Sequence, residues 1–334
     1  MPVTEDLSPE ASLPLDLLGE LAHDAMRVFF KWQRDTRLRK ERERIKAARF
    51  SGRVLAAGQY QSLMLHAPQG VVCWGMNFEG LAPGNGIAGD FIAVAAGSFH
   101  SLALRADGSI LCLGSNSHGQ VPPDGIPSSD FIAVAAGSFH SLALRADGSV
   151  ACWGGNDDGE APPDGVPGEF VAIAAAGGGH SLALRPDGSV ACWGRNDEGQ
   201  APPDGVEGVF IAIAAGSSHS IALTRNGDVV CWGCNDNGQA PPEGIPGDFI
   251  AISAGGLHSL ALRRDGGVAC WGGNNDGQAP PDGVPGDFIA VAAGGEHSLA
   301  LRRDGSVACW GDNFHGKAPP AGVAGPFFVH NNDE

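Results

Sequence analysis

The chain has 334 residues, 43% of them hydrophobic, and a formal net charge of -17 from 21 Lys+Arg against 38 Asp+Glu. No apolar run approaches the ~20 residues of a membrane-spanning helix. The acidic opening MPVTEDLSPE is unlike the basic, then apolar, start of an export signal, so an intracellular protein (cytoplasm or nucleus) without a membrane span is expected.

The charge is unevenly placed. Residues 1–50 hold ten Lys/Arg and nine Asp/Glu, which leaves eleven and twenty-nine for residues 51–334. The body is therefore acidic, and DNA binding through it is disfavoured. Ser8-Pro9-Glu10 reads as a helix start. Leu17, Leu21, Ala25, Val28, Phe29 and Trp32 then recur at helical spacing, followed by the basic stretch RDTRLRKERERIKAARF. An N-terminal α-helical segment with a basic end is expected over residues 1–50, a candidate for a secondary contact with a partner.

From residue 51 the sequence repeats. The segment HSLAL and its variants place His100, His140, His180, His219, His258 and His297 at spacings of 39 or 40, with Gln61 in a divergent first copy, which makes seven units. Within a unit FIAVAAG, HSLALR and SVACWG have strand length and strand patterning. The Asp-Gly pair between the second and third fits a two-residue hairpin turn. A Pro-Pro strap such as GQAPPDGVPGD leads to the next unit as an edge strand or an extended link. Three or four strands per unit, seven times over, predict an all-β, seven-bladed β-propeller over residues 51–330, followed by a short tail at 331–334. RVLAAG at 53–58 and PFFVH at 326–330 both resemble first-strand material, and either could close the ring.

The repeated residues read as frame. Six evenly spaced histidines invite a metal, but different blades hold them apart, so each imidazole is expected to bond its own blade's backbone, with no metal and no cofactor. Trp74, Trp153, Trp193, Trp232, Trp271 and Trp310, with Leu113 in the second copy, read as blade core. One cysteine per unit occupies an equivalent strand position, too far from its neighbours to bridge. The Asn-x-x-Gly loops lack the alternating oxygens and closing glutamate of a calcium hand. Nothing in the sequence presents a phosphate loop or a nucleophile with its base, so no enzyme is expected.

Where the copies differ, the differences cluster. The two residues before each histidine and the Asn-x-x-Gly loops fall on one end of the blades. The position immediately before the histidine, or before Gln61, offers Tyr60, Phe99 and Phe139 in blades one to three, then Leu257 and Glu296 in blades six and seven. The loops add Phe78 in blade one and Phe314 with His315 in blade seven. Aromatic anchors with an acidic rim predict a partner-binding face for another protein. Blade four carries one extra residue in AIAAAGGGH, read as a strand bulge that ends the aromatic arc. Arginines at the opposite turns are expected to pair locally with aspartate.

The pattern AAGxxHSLALxxDGSVxxWGxNxxGQ resembles the regulator-of-chromosome-condensation repeat. The resemblance covers roughly residues 53–330 and implies a seven-bladed propeller. It also implies a range of binding roles: a Ran guanine-nucleotide exchange factor, a plant ultraviolet-B photoreceptor, ubiquitin-ligase subunits, and a bacterial inhibitor that clamps β-lactamase. The photoreceptor's tryptophans precede the repeat histidine, where this chain has Ser98, Ser138, Gly178 and Ser217. The exchange factor carries acidic residues at the tips, and here only Glu296 is acidic. SLPLDLLGEL at 12–21 is similar to the opening of an F-box, a ligase-recruiting segment, although the basic stretch after it departs from that pattern. A non-enzymatic interaction module is the expectation, with exchange factor or ligase subunit as the alternatives.

Overall fold

The computed structural model describes residues 54–325 apart from 67–69, 124 and 127–129. The helical segment expected at 1–50, the PFFVH stretch and the 331–334 tail lie outside the described residues. What is described is all-β: seven antiparallel sheets, one per repeat.

Blade one comprises β1 (Leu55–Ala57), β2 (Gln61–His66), β3 (Gly70–Gly75) and a short β4 (Ile87–Ala88), paired in that order. Blade two comprises β5 (Phe91–Ala96), β6 (His100–Arg105) and β7 (Ile110–Gly114). Blades three to seven repeat the meander at 131–154, 172–194, 210–233, 249–272 and 288–311. In these blades and in blade two the strap contributes a single bridge instead of a fourth strand, as between Ile110 and Ile126. Paired prolines limit the strap to that one contact, since proline lacks the donor a longer ladder needs.

The expected two-residue hairpin is replaced by a longer turn. Gly108 donates to Arg105 O at 3.0 Å and Arg105 donates to Ser109 O at 2.8 Å, with Gly108 at φ +84. This is a turn followed by a left-handed glycine, the three-residue loop that carries a bulge. Asp107 Oδ1 accepts from both Ser109 N (2.9 Å) and Ser109 Oγ (2.6 Å), so aspartate is selected here for its bonds to the serine as much as for the turn. Those bonds hold the Asp107 carboxyl below its usual range.

Blade four corrects a second expectation. Its inner strand pairs in continuous register, Ala172 with Leu184 through Ala175 with Ser181. Blades two, three, five, six and seven are the ones with a register shift, as between Phe91 and Ala93. The extra residue sits in the tip turn, where Ala176 N reaches His180 O, against Gly97 N to His100 O in blade two.

The blades are riveted to one another, and here the histidine reading is overturned. His100 Nε2 meets Ser141 Oγ of the next blade at 2.8 Å, and the same bond follows from His140 to Ser181, His180 to Ser220, His219 to Ser259, His258 to Ser298, and His297 to Ser62. Each serine also donates to a carbonyl of the preceding blade, as Ser220 does to Gln200 O at 3.0 Å. A hydroxyl has one proton, so the serine must accept from the imidazole, which fixes the Nε2–H tautomer. The histidine therefore bonds a neighbour's side chain and not its own blade's backbone. Gln61 replaces it in blade one, donating to Gly97 O, His100 O and Ser101 Oγ.

The tryptophans belong to the same seams and not to the interior of one blade. Trp232 Nε1 donates at 2.9 Å to the same Gln200 carbonyl that Ser220 uses, and Trp153 packs against the core of blade two. Close approach at the axis explains the glycine before the tip in every blade but the fourth, which carries Ala176 there: a Cβ on Gly97 would lie 2.1 Å from Gly137 O. Blade seven meets blade one through the same set of bonds, with Lys317 O accepting from Ser62 Oγ and Trp74 Nε1. Leu55–Ala57, within the RVLAAG stretch, thus form the inner strand of blade one, β1.

Candidate partner-binding face

Antiparallel pairing puts the pre-histidine turn and the Asn-x-x-Gly loop of each blade at one end. Ser115 N, leading into that loop in blade two, bonds Phe99 O at 2.9 Å. Asp-Gly turns lie at the other end. The loops are self-closed: Asn196 Oδ1 accepts from Ala201 N and Gln200 Oε1 accepts from Glu198 N, both at 2.9 Å. The asparagine is thereby occupied in shaping its own turn.

The side chains on this loop face come together across blades. Tyr60 and Phe99 have ring centroids 5.7 Å apart, Phe99 and Phe139 stack at 5.3 Å with 17° between planes, and His118 extends the row at 4.5 Å from Phe139. Such offset and tilted contacts hold the rings in a fixed ladder. Phe314 meets His315 edge-on at 4.2 Å, and Phe78 and Phe314 are 60% and 68% exposed, far more than large apolar rings usually are. Leu257 and Glu296 are exposed as well, but they lie outside the aromatic row.

Between blades one, two and seven the face opens into an apolar pocket of about 360 Å³, lined by Tyr60, Met76, Phe78, Leu81, Phe99 and His315. Met76 and Leu81 were missed by sequence reasoning. The signal was there: Leu81 stands where five other blades carry Gln or Glu, whose side chain would close its own loop. Lys317 holds the same position in blade seven, and its side chain is 2% exposed, with the ammonium 2.6 Å from Asp312 Oδ2 and 3.2 Å from Gln59 O. Its ammonium also lies over the Tyr60 ring, 5.9 Å from the centroid. The lysine holds the Asp312 carboxyl below its usual range.

Electrostatically the face is one-sided. Glu79, Asp157, Asp158, Asp197, Glu198, Asp236, Asp276 and Glu296 are all exposed there. The cations described on it are Arg195, paired with Asp197 at 2.8 Å, and the buried Lys317. The opposite face is settled internally in a way only partly expected. Arg264 and Arg303 do pair with Asp248 and Asp287, at 3.0 and 3.1 Å. Arg145 also reaches Asp130 at 3.6 Å. Arg105, Arg145, Arg185 and Arg302 lie over the phenylalanines that lead their blades, Phe91, Phe131, Phe170 and Phe288, at 5.4–5.8 Å, and each bonds a serine of its own turn.

Burial pushes the seven strand thiols, Cys73 through Cys309, up to about 12, and the histidines down to about 3 or 4. No group of three or more His, Cys, Asp or Glu among the described residues is placed to hold a metal ion. No described helix is long and apolar enough to cross a membrane.

A ring of seven closely similar antiparallel sheets defines a repeat-built β-propeller. The chain belongs to the regulator of chromosome condensation (RCC1) repeat family, whose repeat matches residues 91–120, 131–160, 170–200, 210–239, 249–278 and 288–317. Blade one, with Gln61 for the histidine, lies outside those matches. Similar solved structures include the ectodomain of the Arabidopsis thaliana receptor kinase ACR4, at 25% identity, covering 82% of this chain and 98% of that one with a TM-score of 0.63. Human WBSCR16 is similar at 22% identity, 74% and 85% coverage and a TM-score of 0.62. Prp20p from Saccharomyces cerevisiae, studied for its binding to Gsp1p and histones, is similar at 21% identity, 74% and 81% coverage and a TM-score of 0.61. A sequence comparison with curated proteins finds no match.

Proposed function

We propose that this protein is a non-enzymatic interaction module that binds another protein through its loop face, with Tyr60, Phe99, Phe139, Phe78, Phe314 and His315 as the contact residues. The observation that carries this is the convergence of the aromatic exceptions of blades one, two, three and seven on one continuous strip, while the rest of the repeat is spent on holding the ring together. Aromatic side chains lose little conformational entropy on binding and supply large contact area, which is why they dominate interface energetics. Leu257 and Glu296 extend the face at its edge. Prp20p, which shares the fold, is also a protein that binds proteins. Nucleotide exchange on a small GTPase is the weaker reading, since Glu296 is the one acidic tip. Ligase recruitment would depend on residues 1–50, outside the described residues.

The test is cross-linked capture with the full chain and with a Tyr60→Ser, Phe99→Ser, Phe139→Ser variant of matched thermal stability. A partner retained by the wild type and lost by the variant supports the reading. Identical partner lists refute it.

A further inference from the structure

We propose that the pocket at the junction of blades one, two and seven receives a large apolar side chain from a lysine- or arginine-rich segment of another protein. The inference rests on the reading of the loop face as a protein-binding surface and specifies the chemistry of what it binds.

The pocket's size limits its guest. At about 360 Å³ it lies at the lower end of the range for small-ligand sites, so it has room for one or two large side chains. Its walls select for apolar groups. Met76, Leu81, Tyr60, Phe78 and Phe99 make up most of the lining, with the His315 imidazole and the Tyr60 hydroxyl as its polar side-chain groups, too few to orient a polar cofactor. It exists because blade one departs from the repeat: Leu81 places an apolar residue where the loops of blades two to six are closed by a Gln or Glu side chain.

The loops flanking the pocket are unusual in a second way. Glu79 (φ 52) and His315 (φ 67) are the two non-glycine residues with positive φ among the described residues, and they sit at matching positions of the NFEG and NFHG loops. A left-handed conformation is unfavourable for residues with a side chain, and such strain is concentrated at binding sites. Here it accompanies the two most exposed phenylalanines among the described residues, Phe78 and Phe314.

Charge decides the flanks of the guest. Eight exposed carboxylates share the face with two cations, both paired, so any approaching segment meets a negative potential. Such a field speeds the encounter with basic partners and opposes acidic ones and phosphate backbones. An aromatic row running from the pocket to Phe139 gives the rest of the segment a track across three blades.

Random peptides displayed on phage and selected on the intact full-length protein test this, followed by titration of the enriched peptides as synthetic ligands. The expected consensus is a Phe, Trp, Leu or Met close to several Lys or Arg. Affinity should fall about tenfold or more in Phe99→Ser and, separately, in the highly exposed Phe78→Ser, which cannot disturb a core. Glu79→Lys should weaken binding, with the loss shrinking as salt is raised. Enriched peptides that are acidic or uncharged but still depend on Phe99 overturn this inference and leave the protein-binding reading standing. Peptides indifferent to all three substitutions, or no enrichment at all, overturn both. A concentration-dependent dimer dissolved by Phe78→Ser assigns the pocket to a second copy of the chain and overturns the foreign partner.

Discussion

The buried histidine ring makes stability a steep function of acidity. Each of the six imidazoles is at most 1% exposed, and burial, with its charged neighbours in some blades, lowers it from 6.5 to about 3 or 4. Below pH 6.5 the unfolded chain takes up six protons that the native ring refuses, so stability is complete above that value and falls as pH falls. The slope vanishes only near pH 3–4, where the native imidazoles themselves protonate. At pH 5.5 each histidine costs about 1.4 kcal/mol, and six cost about 8 kcal/mol. That is comparable with the whole stability of a typical domain, about 5–15 kcal/mol, so the propeller should unfold between about pH 6 and 5. Urea unfolding followed by tryptophan fluorescence, repeated from pH 8 to 5, measures the slope. His258→Gln, which copies the natural Gln61 of blade one, should recover about one sixth of the loss. A stability that stays flat from pH 7 to 5, or NMR titrations placing the native imidazoles near 6.5, would refute the argument.

The remaining predictions concern the seams. Gly97→Ala drives a methyl into the Gly137 carbonyl and should cost more than about 2 kcal/mol in chemical denaturation, whereas Gly84→Ala, facing open space, should be close to neutral. Asp312→Asn leaves the buried Lys317 ammonium without its counter-charge and should cost about 3–5 kcal/mol, most of which a second change, Lys317→Gln, should restore because other blades carry Gln there. In native protein a thiol reagent should label one cysteine quickly, Cys234, because the other seven are buried with thiols pushed up to about 12; rapid labelling of several would contradict the described burial.

Much of the molecule is legible in the sequence alone. Strand patterning, a fixed period and the turn glycines determine the meander, because backbone geometry and side-chain alternation are local properties. The count of seven gives the ring, and antiparallel pairing alone places Tyr60, Phe99, Phe139, Phe78 and Phe314 at one end of the blades. What the repeated histidine and tryptophan bond was not legible, since a period reports that a residue recurs and says nothing of which neighbour it reaches. Only tertiary packing showed that both span the seam, as His180 does to a serine 40 residues away and Trp232 to a carbonyl 32 residues away. Packing likewise decided that Met76 and Leu81 meet the rings of blades one, two and seven around a shared pocket. The physical reason is closure: blades one and seven are neighbours only because the ring shuts, so a site built across them is assembled from opposite ends of the chain.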